Sequence, residues 1–232
     1  MSRIMRNQPQ LPLDIDDGRP ARGEPAVVAP GAFWVRGWLD LAGQVTLVDA
    51  CREWFRPPAG LRRPRMPNGG RFSTRAVCLG WHWYPYRYTR TCDDGDGAPV
   101  KPFPELLHRL AADACAAAGY EPGGHDAAIV NLYEDGAALG LHQDSAEGDA
   151  VAAGSPVVTV SLGDTCVFRF GNGLTRGRPY QDVTLESGDL FVFGGPSRLA
   201  YHGVPKVFPG TAPAELGLDG RISVTLRDSG QD

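Results

Sequence analysis

Three side chains from two separate segments have the types and the spacing of an iron-binding set. His142 and Asp144 are two residues apart, and His202 follows far downstream. Side chains at alternate positions of a strand point to the same face, so His142 and Asp144 can bind one ion together. Two imidazoles and one carboxylate suit an octahedral Fe(II) that keeps open coordination positions. We predict an iron site here, although an HxD pair also arises by chance in many chains.

A second segment with chemical potential is Arg221–Arg227, in which polar and apolar side chains alternate. In a strand, Arg221, Ser223 and Arg227 would share one polar face. Guanidinium groups pair bidentately with carboxylates, so the two arginines suit the two ends of a dicarboxylate lying along the strand. The alternative is a pair of surface arginines on an edge strand. A metal beside an anion clamp indicates an oxygenase.

Length and composition predict one soluble globular domain. The 232 residues are 42% hydrophobic and 22% charged, which is ordinary for such a protein. No apolar run approaches the ~20 residues of a membrane span, and residues 1–10 contain no stretch typical of a signal peptide. We therefore expect a cytoplasmic protein without a membrane partner. The five cysteines form no CxxC motif, which predicts reduced, buried thiols.

The charge is distributed unevenly along the chain. The net charge is −4, yet residues 55–92 contain no Asp or Glu. The same stretch holds eight arginines: Arg56, Arg62, Arg63, Arg65, Arg71, Arg75, Arg87 and Arg90. Five aromatic residues interleave with them: Trp81, Trp83, Tyr84, Tyr86 and Tyr88. Aromatic platforms beside guanidiniums are typical of sites that bind single strands or flipped bases, and a buried aromatic hairpin is the alternative.

Periodicity and turn residues predict the elements that position these side chains. Residues 1–28 lack periodicity and are interpreted as a flexible tail, followed by a strand at Ala32–Val35. Amphipathic helices are expected at about 40–56 and about 104–118, and residues 62–75 are expected to form a loop.

From residue 127 onward, eight short β-rich segments follow one another without intervening helices. They are Ala128–Tyr133, Leu139–Gln143, Pro156–Leu162, Cys166–Gly171, Tyr180–Leu185, Asp189–Phe193, Ala200–Val204 and Arg221–Arg227. This pattern predicts a mainly β fold with flanking helices (α+β). Its core, at residues 127–227, would be a double-stranded β-helix of the jelly-roll or cupin-like kind.

The order of the motifs resembles a known family. The matching segments are Asn131-Leu132-Tyr133, Leu141–Asp144, Val158–Leu162, Phe168–Gly171, Ser187-Gly188-Asp189, Gly194–Arg198, Tyr201-His202-Gly203 and Arg221–Arg227. In this order they resemble the AlkB family of Fe(II)/2-oxoglutarate dioxygenases, from about Met66 to Arg227. The resemblance implies one such domain over residues 29–232, with a nucleotide-recognition lid at 55–92. It also implies oxidative demethylation of N-alkylated bases such as 1-methyladenine and 3-methylcytosine, with release of succinate, CO2 and formaldehyde.

The resemblance further implies a role for each matching residue. Fe(II) would be bound by His142, Asp144 and His202, and O2 would complete its coordination. The 2-oxoglutarate site would comprise Asn131, Tyr133, Arg221, Ser223 and Arg227. The substrate contacts would come from Trp81, Tyr88, Arg90 and Arg176, with Trp81 stacking on the base and Tyr88 and Arg90 holding phosphates.

Two positions depart from the family pattern. Ser223 stands where an Asn often contacts the cosubstrate, and Ala146 stands where an acid often contacts the damaged base, with Glu147 next to it. Asp149 is expected to be a solvated loop charge. These departures leave the base preference open.

The expected partner is alkylated DNA, single-stranded or with a flipped base, and RNA is a further candidate. The alternatives are a hydroxylase of the same type acting on RNA, protein or a small molecule, and a non-catalytic cupin-like binding module. No heptad pattern is present, so a monomer is expected.

Overall fold

The computed structural model describes residues 19–66, 69–84, 87–134 and 136–231. Most of the predicted N-terminal tail, and Tyr86 of the predicted lid, lie outside these residues. The strands are β1 (Pro25–Ala29), β2 (Ala32–Val35), β3 (Arg75–Leu79), β4 (His82–Tyr84), β5 (Arg87–Thr89), β6 (Ala127–Tyr133), β7 (Leu139–His142), β8 (Val157–Gly163), β9 (Cys166–Phe170), β10 (Gln181–Leu185), β11 (Leu190–Phe193), β12 (His202–Val207) and β13 (Arg221–Arg227). The α-helices are α1 (Leu41–Trp54), α2 (Glu105–Ala117) and α3 (Gly148–Ala152).

Two antiparallel sheets form the centre of the fold. One has the strand order β1-β2-β11-β8-β13-β6-β3, the other has the order β10-β9-β12-β7, and β4 pairs with β5 in a separate hairpin. This is the predicted double-stranded β-helix with flanking helices. All eight strands expected from residue 127 onward are present, with bounds that differ from the predicted ones by a few residues.

The two faces of the larger sheet pack against different partners. On the outer face, Val160 and Val224 share a buried cluster with Leu47 of α1 and Leu107 of α2. On the inner face, aromatic side chains fill the space toward the smaller sheet, and the rings of Phe168 and Phe191 lie 4.7 Å apart. Each such buried side chain contributes about 1.5–3 kcal/mol to folding. The sheet is therefore held from both sides, and its central strands are rigid supports for a site.

Strand β13 occupies the middle of the larger sheet, between β8 and β6. Ile222, Val224 and Leu226 belong to the helix-facing cluster, so the alternate positions face the interior between the sheets. Arg221 is fully buried and Arg227 is 6% exposed. The alternative of surface arginines on an edge strand is therefore wrong, because the strand has a neighbour on each side.

The structure corrects three local expectations. Residues 25–28 are not part of a tail, because β1 pairs with β2 at the edge of the larger sheet. Pro25 can begin an edge strand because a proline without an N–H costs no ladder bond there. Asp149, which was expected in a loop, lies in helix α3, and the predicted lid contains β3 of the larger sheet as well as the β4–β5 hairpin.

Two other expectations concern the cysteines and the absence of a membrane span. All five cysteines are free and buried, as predicted. No helix within the described residues is long and apolar enough to cross a membrane. The cytoplasmic location and the monomeric state stay predictions.

Candidate active site

Two neighbouring strands of the smaller sheet bring the predicted metal ligands together. His142 ends β7 and lies directly opposite His202, the first residue of β12. Asp144 follows two residues after His142, and its two carboxylate oxygens lie 3.7 Å from His142 Nε2 and 3.7 Å from His202 Nε2. The donor atoms of all three residues lie within 4.8 Å of one another. One ion can therefore contact all three side chains.

Hydrogen bonds orient both imidazoles for metal binding. Nδ1 of His142 lies 3.0 Å from the Gly140 carbonyl oxygen, and Nδ1 of His202 lies 2.9 Å from the Ala200 carbonyl oxygen. These contacts favour the proton on Nδ1, which leaves Nε2 as a lone-pair donor toward Asp144. Burial and the neighbouring His142 lower the pKa of His202 to about 4, so its imidazole is neutral near pH 7.

The Asp144 carboxylate is 5% exposed and ionised. Burial alone would raise the pKa of Asp144, but the Arg227 guanidinium and the two imidazoles hold that pKa below its usual range. Its Oδ1 accepts a hydrogen bond from Arg227 at 2.7 Å, whereas its buried Oδ2 has no hydrogen-bond partner among the described residues. A buried anionic oxygen without a partner is costly, and a divalent cation would remove that cost. The site thus fits Fe(II).

The two arginines of β13 also have unused hydrogen-bonding capacity. Arg221 Nε donates to Ser161 Oγ at 3.1 Å, and the guanidinium carbon lies 4.8 Å from the Tyr133 ring centroid. Neither terminal nitrogen of Arg221 has a hydrogen-bond partner in the described part of the chain, and the same is true of Arg227 Nε. Buried donors of this kind call for an anionic ligand.

A narrow cavity between the two sheets joins the arginines to the metal ligands. Its lining includes the predicted cosubstrate and metal residues Asn131, Tyr133, His142, His202, Arg221, Ser223 and Arg227. The rest of the lining comprises Leu139, Thr159, Phe168, Gly203, Val204 and Thr225. A small dicarboxylate held by Arg221 would reach toward the histidines through this space.

Sequence reasoning missed the role of two buried residues beside the metal position. Glu147 is 1% exposed and accepts hydrogen bonds from the Tyr88 hydroxyl at 2.6 Å and from Arg198 at 3.3 Å. Arg198 also donates to the backbone oxygen of Asp144 at 2.6 Å, and Arg227 lies 3.9 Å from Glu147. The two carboxylates offset Arg198 and Arg227, so Arg221 and a bound divalent ion remain to attract an anion. In the sequence, the role of Glu147 was indicated by its position three residues after Asp144.

The predicted substrate residues do not all reach the surface. The Tyr88 side chain is buried and its hydroxyl is bonded to Glu147, so it does not offer that hydroxyl to a phosphate in this structure. Arg90 is exposed, and its guanidinium carbon lies 3.3 Å from the Trp81 ring centroid. Trp81 Nε1 donates to Asp126 at 2.8 Å. Arg176 is exposed on a loop, 5.9 Å from the Tyr201 ring centroid.

In the folded structure, acidic side chains from other segments neutralise part of the positive charge of residues 55–92. Acids from outside residues 55–92 pair with five of its arginines: Glu53 with Arg56, Asp93 with Arg87, Asp94 with Arg62, and Glu134 with Arg63 and Arg75. Except for the buried Arg62–Asp94 pair, these are exposed pairs that contribute little to stability, so a phosphate can replace the acid. Asp149 is exposed, as expected.

Comparisons with known proteins agree with this geometry. Residues 31–227 match the 2OG-Fe(II) oxygenase superfamily. The chain is 41% identical to the alpha-ketoglutarate-dependent dioxygenase AlkB of Escherichia coli over 88% of its length and 93% of that protein. It is 34% identical to the DNA N(6)-methyladenine demethylase ALKBH1D of Arabidopsis thaliana over 87% of its own length, and it spans only about half of that relative, 50%. The solved structure of OsALKBH1 superposes with a TM-score of 0.80 at 33% identity, covering 88% of this chain and 99% of that one.

Replacing His142 by Ala should weaken binding of a divalent ion more than ~100-fold, because even the loss of an outer hydrogen-bond partner costs 10–100-fold in metal affinity. Anaerobic calorimetric titration with Mn(II), a stable substitute for Fe(II), measures the effect. His108→Ala, which removes an exposed imidazole from α2, is the matched control. Equal affinities in the two variants would contradict the metal assignment.

Replacing Arg221 by Met should weaken 2-oxoglutarate binding by about 2–5 kcal/mol, or ~30-fold or more, because a buried charge pair loses one partner. The dissociation constant is measured by titration of the metal-loaded protein in the absence of O2. Arg178→Met removes an exposed guanidinium and should leave the constant unchanged. The clamp assignment fails if the two variants bind 2-oxoglutarate alike.

Proposed function

This chain belongs to the AlkB branch of the 2OG-Fe(II) oxygenase superfamily, and from that premise we propose that it repairs N-alkylated bases in DNA by oxidative demethylation. The preferred lesions in this proposal are 1-methyladenine and 3-methylcytosine. The methylated base lies in single-stranded DNA or is flipped out of a duplex.

The proposed lesions are supported by the stacking of the Arg90 guanidinium on the Trp81 ring. A guanidinium is a planar, delocalised cation, and here it lies over the indole ring at 3.3 Å. Bases methylated at N1 of adenine or N3 of cytosine are also planar and positively charged. The same ring face therefore suits a cationic base that takes the place of Arg90. Arg90, once displaced, is available to a backbone phosphate.

Some residues of the chain hold 2-oxoglutarate and Fe(II), and others position the side chains that do so. Arg221 holds the far carboxylate of 2-oxoglutarate inside the cavity, and Asp144 with the two histidines holds Fe(II). Bound iron with 2-oxoglutarate and O2 supplies the oxidising power for hydroxylating the N-methyl group, and the products are succinate, CO2 and formaldehyde. Glu147 and Arg198 fix the position of Arg227 and Asp144.

A second candidate substrate is N6-methyladenine in DNA. It is favoured by the relatives in Arabidopsis thaliana, whose names assign them that activity. Ala146 also leaves this chain without an acid at the position where a carboxylate would favour a positively charged base. N6-methyladenine is uncharged, so the charge of the base distinguishes the two candidates. A human relative, 33% identical over 70% of this chain, is named a nucleic acid dioxygenase, which keeps RNA as a further candidate.

The proposed activity is tested with oligonucleotides that carry one methylated base, supplied with Fe(II), 2-oxoglutarate and O2. We expect formaldehyde and the repaired base from 1-methyladenine and 3-methylcytosine in single-stranded DNA, in amounts that exceed repair of N6-methyladenine. The same lesions in RNA and in duplex DNA measure the strand preference. The proposal fails if both lesions persist while another substrate is turned over, and absence of succinate formation with every substrate would indicate a binding module.

Replacing Trp81 by Ala should raise the KM for a methylated oligonucleotide about 5–150-fold, because stacking of a base on an aromatic ring contributes about 1–3 kcal/mol. Affinity for 2-oxoglutarate should stay unchanged, since Trp81 does not line the cavity of the cosubstrate. Trp83→Ala is the matched control from the same hairpin, because the Trp83 ring packs on Phe72 rather than on Arg90. A similar KM for both variants would remove Trp81 from the substrate site.

A further inference from the structure

A second cluster of metal-ligating side chains lies at the base of the β4–β5 hairpin. It comprises Cys78 at the end of β3, His82 at the start of β4, and Cys92 and Asp94 just after β5. Arg62, from the preceding loop, reaches into the same cluster. All five residues are buried, with exposed fractions between 1% for His82 and 9% for Arg62. None of them belongs to the site formed by His142, Asp144 and His202.

Three of these residues already have the spacing of ligands around one ion. His82 Nε2 lies 3.0 Å from Asp94 Oδ1, and the donor atoms of His82, Cys92 and Asp94 all lie within 4.8 Å of one another. Zinc binds imidazole nitrogen, carboxylate oxygen and thiolate sulfur at about 2.0–2.3 Å, so the ligand atoms of one tetrahedral zinc lie roughly 3–4 Å apart. Small side-chain movements are therefore enough to enclose an ion.

We propose that His82, Cys92 and Asp94 form a structural zinc site, with Cys78 as the fourth ligand. Cys78 Sγ lies 3.6 Å from the Arg62 nitrogen that also approaches His82 Nε2 at 3.4 Å, so it faces the same space. A set of two thiolates, one imidazole and one carboxylate is selective for zinc over Fe(II) and Mn(II), which favour harder ligands.

The charges of the cluster balance when a divalent ion is present. Burial opposes ionisation of the Cys78 thiol, but Arg62 and His82 lower its pKa to about 7, so a thiolate is accessible near neutral pH. Zinc and Arg62 together carry as much positive charge as Asp94 and two thiolates carry negative charge. Buried groups without net charge avoid the cost of an uncompensated ion. Arg62 Nε donates to Asp94 Oδ1, and so it serves as the outer partner that orients a ligating carboxylate.

In the metal-free protein, a proton on His82 supplies the positive charge that faces Asp94. Burial disfavours an imidazolium, but Asp94 and the two thiols together raise the pKa of His82 to about 11. Zinc binds imidazole and thiolate only in their deprotonated forms, so zinc binding should release protons. The ion would fasten both ends of the hairpin that carries Trp81 and Arg90 to strand β3. This site is independent of the proposed repair activity, because it shares no residue with the iron centre.

Cobalt titration of the full chain tests the proposal without reference to activity. Co(II) bound to thiolate gives a sulfur-to-metal charge-transfer absorption, which a site made only of histidine and carboxylate cannot give. We expect this absorption in the wild type and in His142→Ala, and in His142→Ala, where the iron centre no longer competes for cobalt, it should saturate at one equivalent. It should vanish when Zn(II) is added. The double variant with Cys78→Ser and Cys92→Ser should lose it, because no thiolate ligand then remains. His82→Gln, which removes the nitrogen ligand, should raise the cobalt concentration needed to saturate it. Cys115→Ser, which changes a buried thiol in α2, should keep it.

Two results would overturn the proposal. One is absence of the charge-transfer absorption in the wild-type protein, a result that depends on no variant folding correctly. The other is its persistence in the folded double variant with Cys78→Ser and Cys92→Ser, which would place the thiolate ligand elsewhere. Thermal unfolding with and without Zn(II) gives an independent readout in the His142→Ala background, where the iron centre is removed. The ion should raise the melting temperature of His142→Ala and of His142→Ala with Cys115→Ser, but not that of His142→Ala with Cys78→Ser and Cys92→Ser.

Discussion

A charge on Asp144 has to be neutralised inside the protein, and much of the architecture around the cavity follows from that requirement. One oxygen is paired with Arg227 at 2.7 Å, the backbone oxygen is held by Arg198, and the second carboxylate oxygen is left for a metal. Arg227 stays in place because β13 is a central strand and Glu147 lies nearby. These contacts hold the Asp144 carboxylate in one orientation, with Oδ2 free to contact a metal, and removal of Arg227 would leave a buried unpaired charge that is strongly destabilising.

The same set of buried charges connects the metal position to the hairpin that is proposed to contact the substrate. Tyr88 of β5 donates to Glu147, which lies against Arg198 and Arg227, and both arginines contact Asp144. Burial and the adjacent Glu147 carboxylate keep the pKa of Tyr88 well above its ordinary value, so its hydroxyl remains a donor. The hairpin is therefore tied to the iron centre on one side and, in our proposal, to a zinc ion at its base on the other.

The sequence predicted those features that depend on local periodicity. The alternation along Arg221–Arg227 predicted a strand with one polar face, and the structure contains this strand. The HxD spacing predicted that His142 and Asp144 lie on one side of the chain, and their donor atoms do lie close together. The polar face of the strand and His142 line the same cavity. Features that depend on distant partners were not predictable in this way. The acids that pair with the arginine-rich stretch lie outside it, Glu147 becomes buried only through contacts with Tyr88 and Arg198, and the His82 cluster draws its members from four segments.

The account is tested most directly by an anaerobic crystal structure with Mn(II) and 2-oxoglutarate. It predicts one metal ion bound by His142 Nε2, His202 Nε2 and Asp144 Oδ2, and the far carboxylate of 2-oxoglutarate on the terminal nitrogens of Arg221. In the same crystals Arg227 should keep its contact with Asp144 Oδ1. A metal ion that leaves Asp144 Oδ2 without a ligand contact, or a 2-oxoglutarate molecule bound away from Arg221, would contradict the account.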